Sequence, residues 1–137
     1  MKILSTLSFI LLLSFLASAQ NITAFKDKTS GKIGFKLDGE TIIPATKYDG
    51  WDGYSDGLIA VSIKNKWGFI DLEGNEVIGL NYLDVDKFHE GFALVSLKKG
   101  KYGYIDETGA KIGEFVYQNG QPFYGGFAAV QMKENYG

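Results

Sequence analysis

Apolar and polar positions alternate in short runs along this chain, and the runs return. Lys66-Trp67-Gly68-Phe69-Ile70-Asp71 recurs as Lys101-Tyr102-Gly103-Tyr104-Ile105-Asp106, and a shorter copy, Lys32-Ile33-Gly34-Phe35, precedes both. The glycines inside these runs lie 34 and 35 residues apart, and a further step of 34 lands on Gly137. A fixed period of this size marks a repeat array, to be read one repeat at a time. Each run is aromatic and β-branched and too short for a helix. It predicts a strand with Trp67 and Phe69 on one face and Ile70 on the other. Asp71-Leu72-Glu73-Gly74 follows and returns as Asp106-Glu107-Thr108-Gly109. Asp at the first position and Gly at the fourth predict a type I turn closed by a left-handed residue, hence a hairpin. The first copy is shorter, ending Leu37-Asp38-Gly39. A return strand carries Ile42, Val77 and Ile112, each three residues past the turn glycine.

The register continues. Tyr48, Tyr82 and Tyr117 each lie nine residues before a second glycine (Gly57, Gly91, Gly126), and Tyr54, Phe88 and Phe123 lie three before it. These in-register aromatics are expected to form the core between repeats. A third strand follows: Leu58 to Ile63, Phe92 to Leu97 and Phe127 to Met132. Ile59, Val61 and Ile63 share one face and Ala60 and Ser62 the other, which predicts one buried and one partly exposed face. Lys64-Asn65 and Lys98-Lys99-Gly100 turn it into the next copy. The glycine inside each first strand needs a reason, because glycine weakens strands; close approach of the ring of Tyr82 or its equivalents would supply one. The fold class expected is all-β: a tandem array of about 35-residue three-stranded antiparallel meanders. Each is too small to bury its own face, so neighbours must stack. An open, twisted array is favoured over a closed propeller, whose blades are larger and number at least about four. The copies run 32–65, 66–100 and 101–134, with a fourth starting at 135–137, after a lead-in at 20–31.

Composition alters this picture at the start of the chain. Lys2 precedes an apolar run from Ile3 to Leu16, and Ala17-Ser18-Ala19 has the small-x-small form of a cleavage site. Residues 1–19 therefore read as a secretory signal peptide. The apolar run is short of the roughly 20 residues that span a bilayer, so no stable membrane span is expected after cleavage. There is no cysteine, so export brings no disulfide, and stability must come from apolar burial and stacking. Net charge is −2 and every basic residue is lysine, which speaks against nucleic acid as a partner. Glycine is frequent (18 residues) but sits at register positions, and with only two prolines the chain is not a disordered Pro/Gly sequence.

Candidate chemistry is sparse. His89 stands where the other copies have Ser55 and Tyr124, a variable turn position that suits a solvated side chain. Without cysteine or a second histidine, a transition-metal site would need carboxylates to complete it. Asp49, Asp52 and Asp56, and Asp84, Asp86 and Glu90, form loose acidic groups without the spacing of a calcium loop. Asp71 and Asp106 read as turn residues. Neither a nucleophile elbow nor a phosphate-cradling loop is present. Asn21-Ile22-Thr23 matches a glycosylation sequon, read as incidental. No metal, cofactor or catalytic residue is assigned. Trp51 and Tyr124 do not recur as aromatics, which makes them the candidate ligand-binding residues.

Together, Lys-Trp-Gly-Phe-Ile-Asp, the turn glycine, the aliphatic return strand, the Tyr and the aromatic-x-[Glu/Asp]-Gly resemble the WG repeat, a bacterial motif of about 35 residues found in tandem. The resemblance covers Lys32 to Gly137. It is strongest in the middle copy and weakest in the first, which lacks the Trp and the Asp. It implies tandem β units in exported or surface-associated bacterial proteins and supplies no catalytic residues. The function expected is a non-catalytic, exported module (periplasmic, cell-surface or secreted) that presents a binding or scaffolding surface for a protein partner. The alternatives are a carbohydrate-binding module that grips a cell-surface glycan with loop aromatics, and a fragment or accessory domain of a larger secreted enzyme.

Overall fold

The computed structural model describes residues 20–133; the expected signal peptide and the start of a fourth copy lie outside the described residues. The structure is all-β, and its strands pair antiparallel into four sheets, none closed on itself. The first holds β1 (Ile22–Lys26), β2 (Ile33–Leu37) and β3 (Glu40–Tyr48). The second is ordered β4 (Gly50–Ser55), β5 (Leu58–Ile63), β6 (Lys66–Ile70), β7 (Glu76–Tyr82). The third repeats that order with β8 (Asp84–Val85), β9 (Phe92–Lys98), β10 (Lys101–Asp106) and β11 (Lys111–Tyr117). The fourth pairs β12 (Asn119–Gly120) with β13 (Val130–Gln131).

The three expected strands of each repeat are present, and a further strand, the short strand, joins them (β4, β8, β12), six residues long in β4 and two in β8 and β12. It is created by the marker glycine. Asp56-Gly57, with φ of 52° and 80°, and Glu90-Gly91, with 52° and 82°, are left-handed pairs. Gly125-Gly126 is a third, at 60° and 80°. Two successive residues at positive φ make a tight hairpin turn whose twist matches the strands it joins. Sheets and sequence copies are thus out of phase: each complete sheet takes its short and third strands from one copy and its first and return strands from the next.

The sheets stack, and alternate residues of each strand enter different layers. Ile59, Val61 and Ile70 pack with Phe35, Ile43 and Tyr48 between the first and second sheets. Leu58, Ala60 and Phe69 pack with Val85, Phe88 and Val95 between the second and third. The expectation of one buried face on the third strand is therefore corrected: Leu58 through Ser62 are all buried, because an interior sheet is covered on both sides. Phe127 to Met132, in the last sheet, is largely exposed.

The strand glycine is also explained differently. Opposite Gly68 the return strand bulges: Trp67 pairs with Tyr82 and Phe69 with Ile78, so three residues face one. A Cβ on Gly68 would lie 2.5 Å from the Ile78 carbonyl oxygen and 2.8 Å from the Gly79 backbone. A bulge one residue longer lies opposite Gly34 and Gly103, where the nearest atoms include the Phe25 and Phe115 rings, each 2.6 Å away. Close approach is the cause, but not by the Tyr ring. Tyr82 sits beside the bulge, paired with Trp67. A second irregularity, between the Phe69–Ile78 and Ile70–Glu76 pairs, leaves Val77 unpaired and exposed and places Ile78 in the core.

Candidate interaction surface

The Asp turns are built as the sequence requires. The Asp71 carboxylate accepts N–H bonds from Glu73 (3.0 Å) and Asn75 (2.8 Å), and Gly74 closes the turn at φ 84°. Asp106 accepts from Thr108 and Ala110 in the same way. The Asn75 side chain holds the Asp71 carboxyl below its usual range, and the Thr108 hydroxyl does so for Asp106. These carboxylates are committed to the backbone. Beside Asp106, burial pushes the Glu107 carboxyl up, and the Asp56 carboxylate of the second sheet's turn pushes it further. An acid whose pKa is raised by folding favours the fold while protonated, and that contribution is lost as pH rises through the folded pKa. Glu107→Gln should accordingly raise the melting temperature at pH 7 by about 1–3 °C, a small effect because the site is solvent-screened. The gain should vanish below the ordinary glutamate pKa; equal stabilisation at pH 3 and pH 7 would contradict the pairing.

The two candidate ligand-binding aromatics stand apart. Trp51, on β4, sets its ring edge-on against Phe35 of the first sheet at 5.8 Å and is half-exposed. Tyr124 precedes the Gly125-Gly126 turn and is 67 % exposed, with its ring 5.4 Å from His89. Each has a different ring partner, and nothing joins them into one platform. His89, expected to be solvated, is half-buried: it exchanges two backbone bonds with Phe92 and lies under Tyr124. Of the in-register aromatics, Tyr48, Tyr82 and Phe88 are buried in the core, whereas Tyr54, Tyr117 and Phe123 are half-buried; Phe88 packs edge-on against Phe69 at 4.8 Å, and Phe123 against Tyr104 at 5.0 Å. Glu90 ties the last turn down, its two carboxylate oxygens accepting from the N–H of Gly125 (2.7 Å) and Gly126 (2.9 Å).

An acidic groove of about 400 Å³ runs between the short strands, lined by Asp52, Asp84, Asp86, Tyr102, Asn119 and Gln121 among others. Burial pushes the Asp52 carboxyl up, with the negative charges of Asp86 and Asp84 adding to it and Lys87 opposing. Tyr102 donates to Asp84 at 3.2 Å. Among the described residues no group of three or more His, Cys, Asp or Glu is arranged to hold a metal ion. No helix among them is long and apolar enough to cross a membrane.

β13 pairs with β12 on one side and with nothing on the other among the described residues. Phe127 is 82 % exposed and Met132 57 %, and Val130 is also exposed, whereas Val61 and Val95 at the equivalent position are fully buried.

Comparison with known proteins adds one finding. No curated protein and no solved structure matches the chain. A family model described as the WG containing repeat matches residues 35–67, 67–102 and 102–136 in succession, with the period of the sequence copies. Three consecutive matches over most of the sequence make this chain a member of the WG repeat family.

Proposed function

We infer that this WG-repeat chain is a non-catalytic, exported module that presents a binding surface to a protein partner. The observation that supports this is the stretch from Tyr124 to Met132, where Tyr124, Phe127, Val130 and Met132 are all exposed. Exposed apolar side chains grouped in this way supply the area a partner protein covers. A protein array probed with the purified chain should show binding by the wild type and at least a tenfold loss with Phe127→Ser, about 1.4 kcal/mol. Equal binding by both proteins would defeat the reading.

The carbohydrate reading draws on the exposure of Tyr124. Glycan-array binding that disappears in both Trp51→Ala and Tyr124→Ala would support it. Silence of the purified chain in hydrolase screens is the outcome expected for a module without catalysis.

A further inference from the structure

We propose that Asn119 is a self-modification site: the backbone nitrogen of Gly120 attacks its side-chain amide, and the asparagine becomes an aspartyl residue that adds a carboxylate to the acidic groove between the short strands.

The two reacting groups are neighbours in β12. The Gly120 N–H donates to Asn119 Oδ1 at 2.9 Å. That bond holds the Gly120 nitrogen beside Cγ, the carbon that carries Oδ1, and a nucleophile held next to its target has the advantage of an intramolecular reaction. Glycine also leaves the nitrogen unshielded, because it has no Cβ. Every other asparagine in the chain precedes a residue with a side chain. Asn75 is tied down besides, its side-chain amide donating to Asp71 at 2.9 Å. Asp38, Asp49, Asp52 and Asp56 also precede glycine, but an ionised carboxylate resists attack and has no ammonia to release.

Packing requires the glycine. A Cβ on Gly120 would lie 2.6 Å from the Tyr104 hydroxyl oxygen and 2.9 Å from Leu94 Cδ1. Both side chains are buried, and the Tyr104 hydroxyl is fixed by donating to the Gln121 carbonyl at 2.7 Å. The residue that opens Asn119 to attack is therefore set by the layer beneath β12. Asn119 itself is exposed and lines the groove with Asp52, Asp84 and Asp86, so water reaches it.

Hydroxide removes the Gly120 N–H proton, the nitrogen bonds to Asn119 Cγ, and the Cγ–Nδ2 bond breaks. The departing nitrogen takes a proton from water and leaves as ammonia, which closes a cyclic imide and restores the hydroxide. Water then opens the ring. Addition at Cγ gives aspartate; addition at the main-chain carbonyl carbon gives isoaspartate, with an extra carbon in the backbone.

The fold already holds an aspartate at the equivalent place. Asp84 follows Tyr82 by two residues, as Asn119 follows Tyr117. Its Oδ1 accepts the N–H of Val85 at 3.1 Å, the same bond that Asn119 receives from Gly120. Isoaspartate, by contrast, lengthens the chain between Gln118 and Gln121, whose N–H groups reach the Gln131 and Ala129 carbonyls. Aspartate is thus the product that the folded chain accommodates.

The test is to hold the purified chain at pH 6 and pH 8, folded and in guanidinium chloride, and then cleave it after lysine. Fragment 112–133, whose one asparagine is Asn119, should gain the mass difference between an amide and an acid. The gain should be faster at pH 8, and at least as fast in the folded chain as in the unfolded one. Asn119→Gln, whose longer side chain moves the amide carbon away from the nitrogen, should show no gain over the same time. Asn119→Asp should co-elute with the converted chain on anion exchange and melt within about 2 °C of the wild type. Conversion slower in the folded chain than in the unfolded one would mean that the fold protects Asn119, and overturns the proposal. Equal gains in the fragments that hold Asn65, Asn75 or Asn81 overturn it too, as does a lower melting temperature in Asn119→Asp.

Discussion

Gly68→Val is expected to destabilise the chain by about 3 kcal/mol or more, enough to unfold much of it at 37 °C. The added Cβ alone would meet the Ile78 carbonyl oxygen at 2.5 Å and the Gly79 backbone at 2.8 Å. These atoms belong to a bulged strand buried on the layer that holds Phe69 and Phe88, so they have nowhere to retreat. The comparison that isolates the cause is Gly103→Ala. There the nearest atoms belong to the Phe115 ring, which is only partly buried and can swing outward, so the loss should be about 1–2 kcal/mol. Tyr82→Ala should not rescue Gly68→Val, because Tyr82 lies beside the bulge and not over the glycine. Urea unfolding measures all three. A Gly68→Val protein with an unchanged midpoint, or one rescued by Tyr82→Ala, would refute the backbone-contact account.

The second large effect is Phe88→Ala, with an expected loss of about 3–5 kcal/mol. Phe88 lies outside the strands, between β8 and the Glu90-Gly91 turn, yet it is among the most completely buried side chains. Its ring meets Phe69 of the second sheet edge-on, so it joins two sheets across their shared layer. In a stacked array stability is a sum of unit and interface contributions, and removing an interface uncouples the units on either side. The unfolding transition should therefore broaden or split as well as move down by about 10–20 °C. Phe123→Ala, at the equivalent position of the last repeat, should cost visibly less, because Phe123 is only half-buried. A Phe88→Ala loss equal to that of Phe123→Ala would mean that the layer between the second and third sheets is not what holds the stack together.

Much of this architecture could be read from the sequence because its signals are local. A Gly at a fixed place marks a turn, an Asp before it caps the turn through its own carboxylate, and aromatic and β-branched runs make strands. The positions of β2, β6 and β10, of both Asp turns and of the in-register aromatics follow from such signals. Two of the short strands escaped for a reason of scale, since β8 and β12 are two residues long; β4 is six, but Gly50, Asp52 and Gly53 give it a turn-like composition. They exist because a left-handed pair folds the chain back on itself, not because of any hydrophobic pattern. The candidate binding residues show the same limit. Trp51 and Tyr124 stand out for breaking the register, but their separation and their different ring partners, Phe35 and His89, depend on which sheet each belongs to.

The sequence by itself determined the period, the strands, the turns and the membership of the repeat family, because each depends on residues a few positions apart. Only the tertiary structure decided which residues share a sheet, which faces are covered and where the return strand bulges. The bulge that forces glycine into the first strand is a matter of pairing within one hairpin, which no spacing of residue types announces. The burial of both faces of β5 arises from sheets assembled across the boundaries of the copies, a phase that the period does not specify.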